Sequence, residues 1–258
     1  MTRLLPILFA LAACGASPPK HAPQTPEATL AMPATQPVAT PPPQVMIRLT
    51  EQLTTRDGVA LEADLYLAPS GAPAVVLLHM IPPHFERSSW PVPFIEGLVA
   101  SGWSVVVVDR RGSGASEGEP KQAYEGEWGR YDVEAAVKRL SAHGVRSFAL
   151  IGASNGTTSM IDYAVWAKAE GLPVPAFLGF MTGGNYTENQ TDMAAVASFP
   201  AAFTYSTEER EWSAAQQARA AHWTFHEYPD GAHGTKMFGV QAQVADDLIG
   251  ALAKALSK

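Results

Sequence analysis

Cysteine, charge and long apolar runs are all scarce in this chain of 258 residues. Its single cysteine, Cys14, cannot form a disulfide within the chain. Lysine and arginine number 18 against 25 aspartates and glutamates, and the net charge of −7 argues against nucleic acid as a partner. No apolar run is long enough to span a membrane. What is present, 47% hydrophobic and 17% charged residues, is typical of one globular domain.

The N-terminus carries a targeting pattern. Arg3 precedes an apolar run from Leu4 to Ala13, which predicts a signal peptide over residues 1–13. The letters Leu-Ala-Ala-Cys that end at Cys14 resemble the lipobox of bacterial lipoproteins, in which the cysteine becomes a lipidated N-terminus. We therefore expect a lipid on Cys14 to anchor the protein to a membrane of the bacterial cell envelope, with plain secretion as the alternative.

Residues 14–44 form a predicted linker behind the lipid. Nine of the 21 prolines lie between Pro18 and Pro43, interleaved with alanine, threonine and glutamine, so this segment cannot bury a core. At ~3.1 Å per residue, an extended linker would reach on the order of 90 Å. Glycine rather than aspartate follows the cysteine, which favours the outer membrane by resemblance to enterobacterial sorting rules. The folded domain is predicted over residues 45–258.

Within that domain, apolar strands alternate with amphipathic helices. The unbroken apolar runs at residues 74–79 and 104–109 are typical of strands buried in a parallel sheet. Two strands at residues 46–54 and 59–67, joined by a tight turn, predict an antiparallel edge. The pattern predicts further strands at residues 147–151, 175–181, 201–206 and 223–228, and helices at residues 94–101, 131–142, 157–169, 212–221 and 241–256. The alternation predicts an α/β fold, with a mostly parallel sheet of about eight strands and helices on both faces.

A strand that runs into the letters GASNG at residues 152–156 gives the strongest functional signal. The pattern G-x-S-x-G between a strand and a helix is typical of the nucleophile elbow of serine hydrolases, which presents the serine on a sharp turn beside a base. A second copy surrounds Ser116, but glycine and proline just after it prevent a helix. We predict Ser154 as the nucleophile, with helix capping alone as its alternative role.

An activated serine needs a base, and His233 is the best candidate among the seven histidines. It lies in a glycine-flanked loop after the last predicted strand and before the final helix. The chain order of α/β-hydrolases, serine then acid then histidine, places the base in such a loop. His79, at the end of the third predicted strand, is expected to be structural.

With these residues in view, the chain resembles the α/β-hydrolases, near the branch of dienelactone-hydrolase-like proteins and small serine esterases. The letters DRRGSGAS at residues 109–116 are similar to the family's Asp-x-Arg-Gly-x-Gly-x-Ser loop, and GAHGT at residues 231–235 resembles its histidine loop. The resemblance covers about residues 46–258 and implies the α/β-hydrolase fold. Because residues 182–199 alone separate two predicted strands, no large cap domain is expected.

The resemblance also implies the remaining catalytic groups. It places the acid in the loop after the seventh predicted strand, where we choose Glu209 and keep Glu208 and Glu211 as alternatives. It places the oxyanion hole at the backbone N–H groups of Ile81 and Asn155. The first follows the third strand, and the second follows the predicted nucleophile.

These residues predict a serine hydrolase of the carboxylesterase type, which cleaves small or medium esters through an acyl-enzyme without a metal or other cofactor. A haloalkane dehalogenase would need aspartate in place of Ser154 and is excluded. The alternative is a catalytically inactive hydrolase fold that binds or scaffolds at the envelope. Six aromatic residues are expected near the site, with about half of them packing the domain instead: Phe85, Trp90, Tyr124, Trp128, Tyr186 and Trp212.

Overall fold

The computed structural model describes residues 48–184, 186 and 193–256. The predicted signal peptide, Cys14 and the linker lie outside these residues, so lipidation, envelope attachment and the domain limits stay predictions. In the described part of the chain, no helix combines the length and apolar character that crossing a membrane requires.

Eight strands build the sheet: β1 (Arg48–Thr54), β2 (Ala60–Tyr66), β3 (Ala74–Leu78), β4 (Ser104–Val108), β5 (Phe148–Ala153), β6 (Phe177–Met181), β7 (Ala201–Ser206) and β8 (Thr224–Tyr228). Their order across the sheet is β1-β2-β4-β3-β5-β6-β7-β8. β1 pairs antiparallel with β2, and β2 pairs antiparallel with β4, whereas the other five pairs are parallel. The mostly parallel eight-stranded sheet and its antiparallel edge confirm the sequence prediction.

Within the described ranges, five α-helices accompany the sheet: α1 (Val92–Ala100), α2 (Gly129–Ala142), α3 (Gly156–Glu170), α4 (Arg210–Ala215) and α5 (Gln243–Leu256). Side chains alternate between the two faces along each strand. Val76 and Leu78 of β3 therefore share one core with α2 and α3, while Val75 and Leu77 share the other with α1 and α5. Helices thus cover both faces, as the sequence predicts.

The helix predicted over residues 212–221 is shorter in the structure and begins earlier. α4 ends at Ala215, and the side-chain amide of Gln216 donates to the carbonyl oxygen of Trp212 at 3.0 Å. Further along, the indole of Trp223 donates to the carbonyl oxygen of Phe199 at 2.8 Å, which holds the entry to β8 against the start of β7. The long-range contact of Trp223 ties the residues before β8 to the sheet, and the helical pattern of residues 216–221 is not realised.

Candidate active site

The turn after β5 presents Ser154 on a strained backbone. Ser154 has φ of 51°, in the left-handed region that residues with a Cβ rarely adopt. A Cβ at Gly152 would lie 2.7 Å from the Thr157 nitrogen, and a Cβ at Gly156 would lie 2.4 Å from the Leu78 carbonyl oxygen. Glycine at both positions lets the chain fold back tightly, so that α3 begins directly behind the serine.

Side chains from three separate strand ends meet at this turn. His233 Nε2 lies 2.5 Å from Ser154 Oγ, and His233 Nδ1 lies 3.0 and 2.9 Å from the two carboxylate oxygens of Glu209. When Nδ1–H donates to Glu209, Nε2 is unprotonated and accepts the hydroxyl proton of Ser154. The three groups are thus arranged as a nucleophile, a base and an orienting acid.

The structure distinguishes among the three glutamates that the sequence left open. Glu209 ends a 3₁₀ turn, Thr207–Glu209, between β7 and α4, and its carboxylate faces His233. Glu208 and Glu211 lie exposed on either side of it and do not hydrogen-bond the imidazole. Only Glu209 among the three is therefore placed to orient the base.

Thr182, which the sequence analysis did not single out, fixes the loop that carries the histidine. It follows β6 with φ of 49°, and its backbone N–H donates to the Thr204 carbonyl oxygen of β7 at 2.8 Å. Its Oγ1 accepts the backbone N–H of Gly234 at 3.2 Å. Thr182 therefore joins two strand ends to the residue next to His233. Its role depends on this long-range contact, which leaves no local pattern in the sequence.

Tyr186 is the aromatic residue that contacts the predicted nucleophile. Its hydroxyl donates to the Thr182 carbonyl oxygen at 3.0 Å and lies beside the Ser154 side chain. Burial of this hydroxyl raises the pKa of Tyr186, so the phenol stays neutral. Trp90 and Trp212 pack instead with core phenylalanines, which bears out the expectation that part of the aromatic set is structural.

The two predicted oxyanion donors lie on opposite sides of a buried arginine. Ile81 follows β3, and Asn155 lies between Ser154 and α3. Within the described residues, neither backbone N–H donates to another group. Arg110 Nη1 donates to Asn155 Oδ1 at 2.8 Å and to the Met80 carbonyl oxygen at 3.4 Å. Arg110 therefore contacts Asn155 and Met80, the residue before Ile81, while neither predicted donor N–H has an acceptor among the described residues.

His79 is buried and structural in this arrangement. Its Nδ1 lies 2.7 Å from the Met80 carbonyl oxygen, and its Nε2 accepts the backbone N–H of Arg110 at 2.9 Å. A neutral imidazole with its proton on Nδ1 satisfies both contacts. Burial, assisted by the Arg110 charge, lowers the pKa of His79 to about 3.

Acidification should destabilise the protein through His79. The unfolded imidazole titrates near pH 6.5 and the folded one near pH 3, so between these values the unfolded state binds an extra proton. The stability contributed by neutral His79 is complete above pH 6.5 and is lost as the pH falls towards 3. The loss approaches about 1.4 kcal/mol per pH unit. Denaturant unfolding at about pH 6.5, 5.5 and 4.5, above most carboxyl titrations, measures it.

A matched pair of variants separates His79 from other titrating groups. His79→Gln should unfold more easily at neutral pH, yet its stability should fall less steeply on acidification, because the buried imidazole is gone. His84→Gln alters an exposed histidine of the following loop and should keep the wild-type slope. Equal slopes in His79→Gln and the wild type would contradict the assignment.

Ser116, in the second G-x-S-x-G pattern, is structural. Its hydroxyl donates to the Asp109 carbonyl oxygen at 2.6 Å and accepts the backbone N–H of Glu62 at 2.9 Å. These bonds join the loop after β4 to β2. In the same loop, buried Arg111 pairs with buried Asp132 at 2.8 Å.

The described residues contain no group of three or more His, Cys, Asp or Glu side chains that could hold a metal ion.

The strand order, with Ser154 after β5 and the acid and base positions after β7 and β8, defines an α/β-hydrolase fold. An esterase of Pyrococcus furiosus matches with a TM-score of 0.63 at 16% identity, covering 82% of this chain and 92% of its own. An α/β-hydrolase of a Penicillium species matches with a TM-score of 0.68 at 13% identity, and the match covers 83% of this chain and 100% of that protein. An esterase of a Rhodococcus species matches with a TM-score of 0.59 at 15% identity, and the match covers 79% of this chain and 98% of that protein. At these identities the likeness shows the fold.

A family model described as X-Pro dipeptidyl-peptidase (S15 family) matches residues 57–161. The matched stretch runs from the turn before β2 into α3, so it contains Ser154 and excludes Glu209 and His233. It is less than half of the chain and does not extend the activity of that family to the whole protein. A comparison with curated protein sequences finds no significant match. The dienelactone-hydrolase-like branch stays a prediction.

Proposed function

We propose that this protein is a serine hydrolase that cleaves small or medium carboxylic esters. The proposal rests chiefly on the Ser154–His233–Glu209 array, in which Oγ and Nε2 are 2.5 Å apart and Nδ1 faces a carboxylate. A serine that only capped a helix would need neither the strained φ of 51° nor an oriented imidazole. We include in the proposal the lipid tether on Cys14 that the sequence predicts.

The reaction follows from the positions of these groups. Ser154 Oγ attacks the ester carbonyl carbon while His233 Nε2 takes the hydroxyl proton, and Glu209 stabilises the resulting imidazolium. The carbonyl oxygen becomes negative and accepts the N–H groups of Ile81 and Asn155. The tetrahedral intermediate then expels the alcohol, which takes the proton from His233. Water attacks the acyl-enzyme by the same route, releases the carboxylic acid and restores the serine.

The size of the substrate is inferred from the connection between β6 and β7. Residues 182–200 form this connection, which is too short for a large cap domain over the serine. An open site of this kind favours small or medium esters without a long enclosed tunnel. An amide or peptide bond is a second candidate, favoured by the match of residues 57–161 to the S15 family model.

A fluorophosphonate probe tests the proposal, because it reacts covalently with activated serines. The folded wild-type chain should be labelled, Ser154→Ala should not be, and Ser116→Ala should be labelled like the wild type. Ester and amide substrates offered to unlabelled wild-type protein then separate the two candidate reactions. A folded wild-type protein that resists the probe would contradict the proposal and favour the inactive, binding or scaffolding alternative.

A further inference from the structure

Arg110 places a fully buried cation behind the predicted oxyanion hole. None of its surface is exposed. Nη1 donates to Asn155 Oδ1 at 2.8 Å, to the His79 carbonyl oxygen at 3.2 Å and to the Met80 carbonyl oxygen at 3.4 Å. All three acceptors belong to the two chain segments that flank Ser154. The guanidinium is therefore in direct contact with both sides of the site.

Two carboxylates, Asp132 and Asp162, lie near enough to act on the Arg110 charge. In the part of the chain that the structure describes, no carboxylate forms an ion pair with it, and nearby Asp132 is paired with Arg111 at 2.8 Å. Nη2 donates to neutral groups, the Ala123 carbonyl oxygen and Ser159 Oγ. Burial lowers the pKa of Arg110 to about 10, which still leaves it cationic at neutral pH. Asp132 and Asp162 therefore offset part of its field, but neither pairs with the guanidinium directly.

The contacts of Nη1 join the backbone units that carry both predicted donors. The Met80 carbonyl and the Ile81 N–H belong to one peptide group, so a hydrogen bond to the carbonyl orients and polarises that N–H. On the other side, the bond to Oδ1 anchors Asn155, whose own N–H is the second donor. One nitrogen atom thus contacts both halves of the predicted oxyanion hole, and on the Met80 side it acts together with His79 Nδ1, which lies 2.7 Å from the same carbonyl oxygen.

We propose that Arg110 is a positioning residue that aligns the Ile81 and Asn155 N–H groups and adds a positive field to the oxyanion hole. This inference rests on the proposed serine-hydrolase function. The field stabilises the tetrahedral intermediate more than the ester, because the carbonyl oxygen is fully negative only in the intermediate. Arg110 therefore contributes to kcat more than to substrate binding.

Arg110→Met provides the first test, since methionine fills apolar volume and removes the charge and the donors. We expect kcat to fall about 10- to 100-fold with KM within about twofold, less than the loss of a direct oxyanion donor. Arg139→Met is the matched control, because it removes a guanidinium that pairs with Glu51 at 2.6 Å on β1. It should keep wild-type kinetics.

A trifluoromethyl ketone with a ¹³C-labelled carbonyl gives the second readout. Ser154 Oγ adds to the carbonyl carbon, the serine proton passes to His233, and the former carbonyl oxygen becomes an oxyanion in the hole. The carbon chemical shift reports the pKa of that hemiketal oxygen. Loss of Arg110 should raise this pKa by about one unit or more, equivalent to a roughly tenfold weaker stabilisation. A residue that merely supported the fold would leave it unchanged.

The outcomes separate the two proposals. A wild type that forms the hemiketal, with Arg110→Met unchanged in kcat and in hemiketal pKa, would overturn the role of Arg110 and leave the hydrolase standing. A folded wild type that neither cleaves esters nor forms the adduct would overturn both. If Arg110→Met does not fold, Asn155→Ala tests the role of Arg110 instead. It keeps the backbone N–H of residue 155 but removes Oδ1, the acceptor that lies 2.8 Å from Arg110 Nη1. It should shift both readouts in the same direction by a smaller amount.

Discussion

Replacing Glu209 with glutamine should lower kcat by about 10³- to 10⁴-fold with the fold intact. Glutamine has nearly the same shape, but it carries no charge to stabilise the imidazolium. Its amide can also donate to His233 Nδ1, which favours the tautomer with the proton on Nε2. That tautomer cannot accept the proton of Ser154, so the base is lost without any change in its position.

The neighbouring glutamates supply the controls for this experiment. Glu208→Gln and Glu211→Gln remove the same charge from the same loop, but neither carboxylate contacts the imidazole. Both should stay within about twofold of the wild-type kcat, because exposed charges in the loop are screened by solvent. A large loss in either control, or none in Glu209→Gln, would show that the acid has been assigned to the wrong residue.

The second large effect concerns stability. Gly156→Ala should lower the free energy of unfolding by more than about 3 kcal/mol, because its Cβ has no room. That Cβ would lie 2.4 Å from the Leu78 carbonyl oxygen and 2.6 Å from that of His79. Both are backbone atoms at the end of β3, so relief requires α3 to move away from the sheet. Urea unfolding followed by circular dichroism measures the difference.

Gly250→Ala is the matched control within a helix. Gly250 is exposed on α5, and a Cβ there meets nothing within 4 Å. Alanine should therefore stabilise the protein by about 0.5–1 kcal/mol through helix propensity alone. Both substitutions replace glycine with alanine, but they should change the free energy of unfolding in opposite directions. A Gly156→Ala variant as stable as the wild type would refute the close packing of α3 against β3.

The local sequence accounts for most of the fold because it records strand and helix periods directly. The prediction for residues 201–206 coincides with β7, since a mostly apolar segment between Pro200 and the charged residues 208–211 has clear limits. The helix prediction for residues 212–221 was wrong beyond Ala215, because the segment leads into β8, where Trp223 bonds the distant Phe199 carbonyl oxygen in a contact that no local pattern encodes. Helix and strand limits elsewhere differ by one or two residues, as fraying ends allow.

The candidate site divides in the same way. Ser154 and His233 are predictable because a short motif and the chain order specify them. The choice of Glu209 among three neighbouring glutamates depended on a family resemblance. In the structure, its carboxylate contacts the His233 imidazole. Thr182 and Arg110 were not predicted, since each acts through residues dozens of positions away. An arginine in a glycine-rich loop is expected at the surface, and the local sequence does not indicate that Arg110 is buried.

The sheet order distributes the proposed catalytic groups unevenly between rigid and labile parts of the molecule. Ser154 follows β5, which has neighbours on both sides, whereas His233 follows β8, the terminal strand, whose five residues are mostly half-exposed or exposed. Strands at an edge open locally at a lower free energy than those in the centre. Mild heating or dilute denaturant should therefore displace the His233 imidazole while Ser154 keeps its position. Inactivation would precede global unfolding and would reverse on cooling.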